Sequence, residues 1–145
     1  MRSQRLMFAL LPALLLATAS CGGERITAPV APGPVPKVAG TLLVSLEAGG
    51  APAGAVMVRL RGPGIGTPVA PDAMVQVFAH AVDSAAVEYR VAVIGMQLSG
   101  TLFSFTVPDV NYLGAYSITL EEVADESNAL RQDLSGYRLL LARQP

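Results

Sequence analysis

Two consecutive segments, LFSFTVPD at residues 102–109 and LGAYSITL at residues 113–120, decide the predicted fold. Both alternate apolar and polar side chains, which is the period of a β-strand with one buried face. Pro108 and Asp109 end the first run and begin a short connection. The stretch therefore predicts two consecutive strands joined by a tight corner.

Five further segments have the same period, at residues 40–48, 55–61, 74–82, 87–94 and 137–142. In the first two, the predicted inward side chains are Leu42, Val44, Leu46, Val56, Val58 and Leu60, with Arg59 and Arg61 outward. No segment has a helical period, and residues 125–134 have room for one helical turn. Seven short strands predict an all-β fold, a seven-stranded antiparallel β-sandwich in residues 40–145.

The segment around Tyr116 resembles the E–F corner of immunoglobulin-like domains, in which Gly-x-Tyr opens strand F. The resemblance implies that Tyr116 is a structural residue whose hydroxyl bonds back to the corner backbone at residues 108–110. Ile118 replaces the strand-F cysteine and the chain has no tryptophan, so the disulfide-and-tryptophan core of antibody domains is excluded. The strand pattern also resembles cohesin-like sandwiches, which implies a scaffold or adhesion module.

The first twenty residues have the three parts of a secretory signal. Arg2 and Arg5 precede an apolar run at residues 6–17, and small residues occupy positions 18–20. The run is shorter than the roughly 20 residues that a permanent membrane helix needs. Residues 1–20 are therefore predicted to be a cleaved signal peptide.

Cys21, the only cysteine, directly follows Thr18, Ala19 and Ser20. This junction resembles the lipobox of bacterial lipoproteins, with threonine where leucine is commonest. The resemblance implies that Cys21 is lipidated, becomes the new N-terminus and holds the chain on a membrane. Gly22 after the cysteine resembles lipoproteins sent to the outer membrane. The sequence thus predicts a lipid-anchored cell-envelope protein, in the outer rather than the inner membrane.

Residues 21–39 are predicted to be a tether between lipid and domain. Residues 22–40 read GGERITAPVAPGPVPKVAG, with four prolines and no apolar periodicity. Such segments favour extended polyproline II structure. Spacing of the domain from the membrane is the expected role.

Charge and composition limit the classes of molecule that the chain is expected to bind. The chain is 52% hydrophobic and 14% charged, which excludes a disordered protein. Without Arg2 and Arg5, eight basic and eleven acidic residues give a net charge of −3. Lys37 is the only lysine and the arginines are scattered, so no nucleic-acid partner is expected.

No catalytic constellation is found. His80 is the only histidine, on the predicted strand face of Met74, Gln76 and Phe78, where it is expected to be exposed or to pair with Asp72 or Asp83. The glycine-rich segment 62–66 contains a proline and precedes no helix, so it is a strand connection rather than a phosphate loop. Glu121 and Glu122 are expected to alternate across a strand rather than face each other. The chain is expected to be neither an enzyme nor cofactor-dependent.

An acidic segment at residues 121–133 is the remaining candidate site. Asp125, Asn128 and Asp133 supply the oxygen ligands that calcium prefers, although their spacing fits no EF-hand and a solvated loop is the commoner meaning.

Three functions are compared. A non-catalytic sandwich that serves protein binding, adhesion or envelope structure agrees best with the missing catalytic groups. A lipoprotein carrier of a small apolar ligand is the alternative, and it requires a large apolar cavity. A hydrolase is the least favoured, because a serine, His80 and an acid would have to converge.

Overall fold

The computed structural model describes residues 33–85 and 87–145, so Cys21, the signal segment and the first part of the tether lie outside the described residues. All seven predicted strands are present, with ends that differ by a few residues from the predicted ones. They are β1 (Gly40–Ala48), β2 (Ala53–Arg61), β3 (Gln76–Ala81), β4 (Glu88–Leu98), β5 (Gly100–Val107), β6 (Ser117–Ala124) and β7 (Tyr137–Arg143).

The strands form two antiparallel sheets, as in a β-sandwich. The three-stranded sheet has the order β5-β1-β7, and the four-stranded sheet has the order β3-β4-β2-β6. Immunoglobulin constant domains instead pair their first strand with their second. Here residues 49–52 carry the chain from β1 in one sheet to β2 in the other, so the immunoglobulin strand order is not followed.

The core lies between the two sheets and contains the side chains predicted to point inward. Leu42, Val44 and Leu46 on β1 face it from one sheet, and alternate residues of β2 and β4 face it from the other. Phe103 and Phe105 on β5 are among its largest fully buried side chains, with ring centroids 6.4 Å apart. The alternating pattern therefore predicted the inner faces correctly.

Helical structure in the described segments is limited to the 3₁₀ turn η1 (Leu113–Ala115). Residues 125–134, which had room for one helical turn, form a loop instead. Hydrogen bonds accepted by the Asp125 carboxylate stabilise this loop. No helix in the described part of the chain is long and apolar enough to cross a membrane.

Residues 33–39, the described part of the predicted tether, are exposed and have no regular secondary structure. Val38 nevertheless contacts the corner after β5. Its carbonyl accepts a hydrogen bond from the Val110 amide at 2.7 Å, and its amide donates to Asp109 Oδ1 at 3.3 Å. The segment is thus fixed to the domain two residues before β1 begins.

Candidate binding surface

Tyr116 lies where the chain passes from the three-stranded to the four-stranded sheet, directly after η1 and before β6. Its ring is 7% exposed and meets Phe105 edge to face, with centroids 6.3 Å apart. Gly62 packs against the same ring, since a Cβ there would lie 3.0 Å from Tyr116 Cε1 and 3.1 Å from the Ala115 carbonyl oxygen. Tyr116 therefore closes one end of the core.

The Tyr116 hydroxyl lies near the backbone of Asp109. Burial raises the pKa of Tyr116 above its ordinary value of 10.0, and the nearby backbone of Asp109 partly offsets that rise. Asp109 Oδ1 in turn accepts from the Asn111 amide at 2.9 Å. Tyr116, the β5–β6 connection and Val38 form one connected corner.

The carboxylate of Asp125 stabilises the loop that follows β6. Asp125 Oδ1 accepts hydrogen bonds from the Ser127 amide, the Ser127 hydroxyl and the Ala129 amide at 2.9, 2.6 and 2.9 Å. These bonds, led by the hydroxyl, lower the pKa of Asp125, and Arg131 lies 3.5 Å from Oδ2. Asn128, with a positive φ of 64°, completes the turn.

Asp133 belongs to a separate turn. Its carboxylate accepts from the Ser135 amide at 2.8 Å and the Ser135 hydroxyl at 2.9 Å, and both bonds lower its pKa. Within residues 33–85 and 87–145, no group of three or more His, Cys, Asp or Glu side chains is placed to hold a metal ion. The carboxylates of Asp125 and Asp133 are thus engaged by loop amides and hydroxyls.

The outer face of the four-stranded sheet divides into a charged half and an apolar half. Adjacent residues across β3, β4, β2 and β6 form successive rows on this face. The rows are His80–Arg90–Arg59–Thr119, then Phe78–Ala92–Met57–Glu122, then Gln76–Ile94–Ala55–Ala124. Charge is thus concentrated at one end of the sheet.

The charged half contains a network of three arginines and two glutamates. Arg59 pairs with Glu121 and lies 3.7 Å from Glu88, and Arg61 bonds Glu88 at 2.8 Å. Arg90 reaches Glu121 at 3.5 Å. Each glutamate serves two arginines, so this arginine–glutamate network neutralises most of its own charge.

Glu121 and Glu122 do not alternate as expected. The register of β2 with β6 shifts between Met57 and Val58, so that Met57 is opposite Glu122, Val58 is opposite Leu120 and Glu121 is the extra residue. Such a bulge re-aims a side chain. Glu121 turns to Arg59, and Glu122 lines the outer surface beside Met57, so the expectation of opposite faces was wrong.

The apolar half carries exposed large side chains, a group named here the apolar patch. Its members are Phe78, Ile94, Met96 and Leu130, which are 57%, 46%, 82% and 61% exposed. Three smaller residues, Ala55, Ala92 and Ala124, lie between them and leave a depression of about 180 Å³ bordered by Ile94 and Leu130. Ile94 also borders a second depression of about 280 Å³ with Met96 and Asp125.

The outer face of the three-stranded sheet is different. Thr41 is opposite Thr106, Ser45 is opposite Thr101, and Glu47 is opposite Arg138. No exposed large apolar side chain of the described residues lies on β1, β5 or β7. Outward Leu43 and Leu140 of this sheet are half-buried, so the exposed large apolar side chains on the described strands belong to the four-stranded sheet.

The other candidate residues are dispersed. His80 is exposed on β3 opposite Arg90, and neither Asp72 nor Asp83 pairs with it, because both carboxylates accept amides of their own turns. Tyr89 is buried, Tyr112 is exposed, and the Tyr137 hydroxyl donates to the Ala51 carbonyl at 2.8 Å. No row of aromatic platforms is formed by these three.

The carrier alternative requires an apolar cavity, and the depressions found in the described residues are at the surface. A third one, of about 300 Å³, lies beside the β4–β5 connection and is lined by Gly50, Pro52, Gln97 and Ser99 among others. Between the sheets, fully buried Phe103, Phe105, Leu60 and Leu102 occupy the interior.

Sequence reasoning placed Arg59 and Arg61 on the outer face and Phe78 on the strand face of His80, but it did not identify the apolar patch. The available signal was in β4, where the outward positions Ala92, Ile94 and Met96 are as apolar as the inward ones. Such loss of alternation indicates a strand covered on both faces. The contribution of Leu130 had no such signal, because it comes from a loop that bridges to Ala124.

Comparison with known proteins found no matching family model, no similar curated protein and no similar solved structure.

Proposed function

We propose that this chain is a lipid-anchored envelope protein whose β-sandwich binds a protein partner, without catalysis, through the outer face of the four-stranded sheet. The single observation that carries the proposal is the apolar patch beside the arginine–glutamate network. Large apolar side chains grouped on one exposed face typically mark an interaction site.

The patch has the composition of a binding surface. Interfaces bury a few large side chains at the centre, surrounded by polar residues that exclude water. Phe78, Ile94 and Leu130 are the candidates for the centre, with Arg90 and Glu122 at the border. The depression over the three alanines has room for one apolar side chain of the partner.

The arginine–glutamate network favours specificity over affinity. Exposed ion pairs contribute only about 0–1 kcal/mol each. Their charges are held by neighbouring strands, since Arg61 and Glu88 are opposite residues of β2 and β4. Fixed charges at the border of an apolar patch orient a partner and reject unsuitable ones.

The anchor is proposed from the sequence around Cys21, with the outer membrane as its favoured location. Residues 33–37 are exposed and unstructured, in agreement with a spacer that begins beyond the lipid and ends where Val38 joins the domain. The domain shares with immunoglobulin-like and cohesin-like modules the arrangement of strands in two sheets. This shared arrangement supports the role of a domain that is held at the membrane to bind another protein.

Mass spectrometry of the mature N-terminus tests the anchor. A diacylated Cys21 is expected, and Cys21→Ala should release the domain or leave the precursor uncleaved. An unmodified Cys21, or cleavage elsewhere, contradicts this part of the proposal.

Co-purification from native membranes tests the binding face. We expect Ile94→Asp to reduce the recovered partner at least tenfold, because burial of an unpaired charge disfavours association. Val69→Asp is the matched control, since Val69 is a β-branched residue of similar exposure that bridges to β5 of the other sheet. Equal recovery with both variants would refute the assignment of the face.

A further inference from the structure

The strand β3 forms an outer edge of the four-stranded sheet, and the geometry points to a second copy of this chain as the occupant of that edge. We infer that two β3 strands pair antiparallel and join the two four-stranded sheets into one. This inference goes beyond the proposed function, since pairing of the β3 edges leaves the outer face of the sheet free for its partner.

The free backbone groups of β3 follow from its pairing with β4. The Val82 amide donates to the Glu88 carbonyl at 2.9 Å, and residues of this antiparallel pair alternate between bonded and non-bonded positions. His80, Phe78 and Gln76 therefore bond to β4. The amides and carbonyls of Val77, Ala79 and Ala81 are directed to the opposite side, where no backbone partner occurs among residues 33–85 and 87–145.

The other edge strands are protected against pairing with a further strand. The free side of β5 pairs with Val69, and the end of β6 is covered by Leu130 and Arg131. The strand β7 carries Arg138 and Arg143. Charges, coverage and prolines are the usual protection of sheet edges, and β3, with the sequence QVFAHA, has neither charge nor proline.

Charge favours a second copy at this edge. Residues 33–145 carry seven basic and ten acidic side chains, a net charge of −3, so two domains repel each other over much of their surface. The edge strand contains no Asp, Glu, Lys or Arg, and Arg90, the arginine beside it on the outer face, lies close to Glu121. The edge is thus a region where two copies can approach without like-charge repulsion.

Two-fold symmetry determines the register. Identical strands related by a two-fold axis run antiparallel. Pairing of Ala79 with Ala79 of the second copy, and of Val77 with Ala81, uses all three pairs of free groups. On the outer face Phe78 is then opposite His80 of the second copy, and the two Phe78 side chains are diagonal neighbours across the new pair of strands.

Disulfide cross-linking of full chains in membranes tests this register. Opposite non-bonded residues have Cα atoms about 4.5 Å apart, which lies within the range of disulfides. We expect a covalent dimer when chains with Phe78→Cys and differently tagged chains with His80→Cys are mixed and oxidised. Each variant alone should give none.

Two controls accompany this test. Wild type reports any cross-link through Cys21, and a mixture of Phe78→Cys with Thr119→Cys reports random collision, since Thr119 is exposed on β6 at the other side of the sheet. No dimer in the Phe78→Cys and His80→Cys mixture, or equal dimer in the Thr119→Cys mixture, overturns the inference. Loss of a partner protein with Ile94→Asp would leave the proposed function standing in that case, because Ile94 lies on β4 and not on the β3 edge.

Discussion

Two apolar regions of this domain contain similar side chains, which are buried in one region and exposed in the other. At the corner of Tyr116, an aromatic ring is enclosed by Phe105 and Gly62. On the outer face of the four-stranded sheet, Phe78 and Ile94 are about half exposed. The comparison separates two roles: the closed region contributes to folding, and the open region is available to a partner. Substitutions should therefore change stability at the first and association at the second.

The largest expected effect on stability is that of Tyr116→Ala. Removal of an enclosed aromatic ring should lower the free energy of unfolding by about 3–5 kcal/mol, since both burial and packing are lost. Chemical denaturation measures it, with exposed Tyr112→Ala as the control. If the two variants lose similar stability, the corner is not a closed region.

The opposite change at the same place is Gly62→Ala. The added Cβ meets the Tyr116 ring and the Ala115 carbonyl, so overpacking should cost about 1–3 kcal/mol. Gly114→Ala is the matched control, because nothing lies within 4 Å of its Cβ position. A neutral Gly62→Ala would show that the ring can move away without loss.

A smaller effect is expected from Tyr116→Phe, which keeps the ring and removes the hydroxyl. Loss of the interaction between the hydroxyl and the nearby backbone of Asp109 should cost about 1 kcal/mol. The pKa of Tyr116 is raised in the folded state, so its contribution is complete below pH 10.0 and is lost as pH rises through the raised value. The stability difference between wild type and Tyr116→Phe should shrink in that alkaline range. A difference that grows there contradicts the account.

The smallest change in stability is expected in the open region. Ile94→Ser should alter the free energy of unfolding by about 0.5 kcal/mol or less, because the side chain is already exposed to water. Denaturation under the same conditions compares it with Tyr116→Ala. A loss above about 2 kcal/mol would assign Ile94 to the core.

The sequence predicted the closed region well and the open region poorly, for a physical reason. Alternation identifies inward residues such as Val58 and Phe105, because one face of each strand must leave water. The burial of Tyr116 agrees with the role that its local Gly-x-Tyr pattern suggested. The position of the apolar patch depends instead on which strands are neighbours, and the order β3-β4-β2-β6 is not encoded in any single segment. The bulge that turns Glu121 toward Arg59 likewise depends on the register of β6 with β2.

The acidic loop shows the same limit. Its composition left calcium ligands as a minor alternative to a solvated loop, and composition does not reveal that Asp125 accepts three hydrogen bonds from its own loop. Those bonds account for the absence of the expected helical turn, since an Asx-type turn competes with helix formation.

Site-specific photo-cross-linking in intact cell envelopes tests the central claim most directly. A photoreactive residue at Met96, in the apolar patch, should give a discrete protein adduct, whereas one at Val69, which is also apolar and exposed, should give none. The adduct at Met96 should decrease when Ile94→Asp is added to the same chain. Equal adducts at both positions, or none at Met96, would contradict the claim that the outer face of the four-stranded sheet is the binding surface.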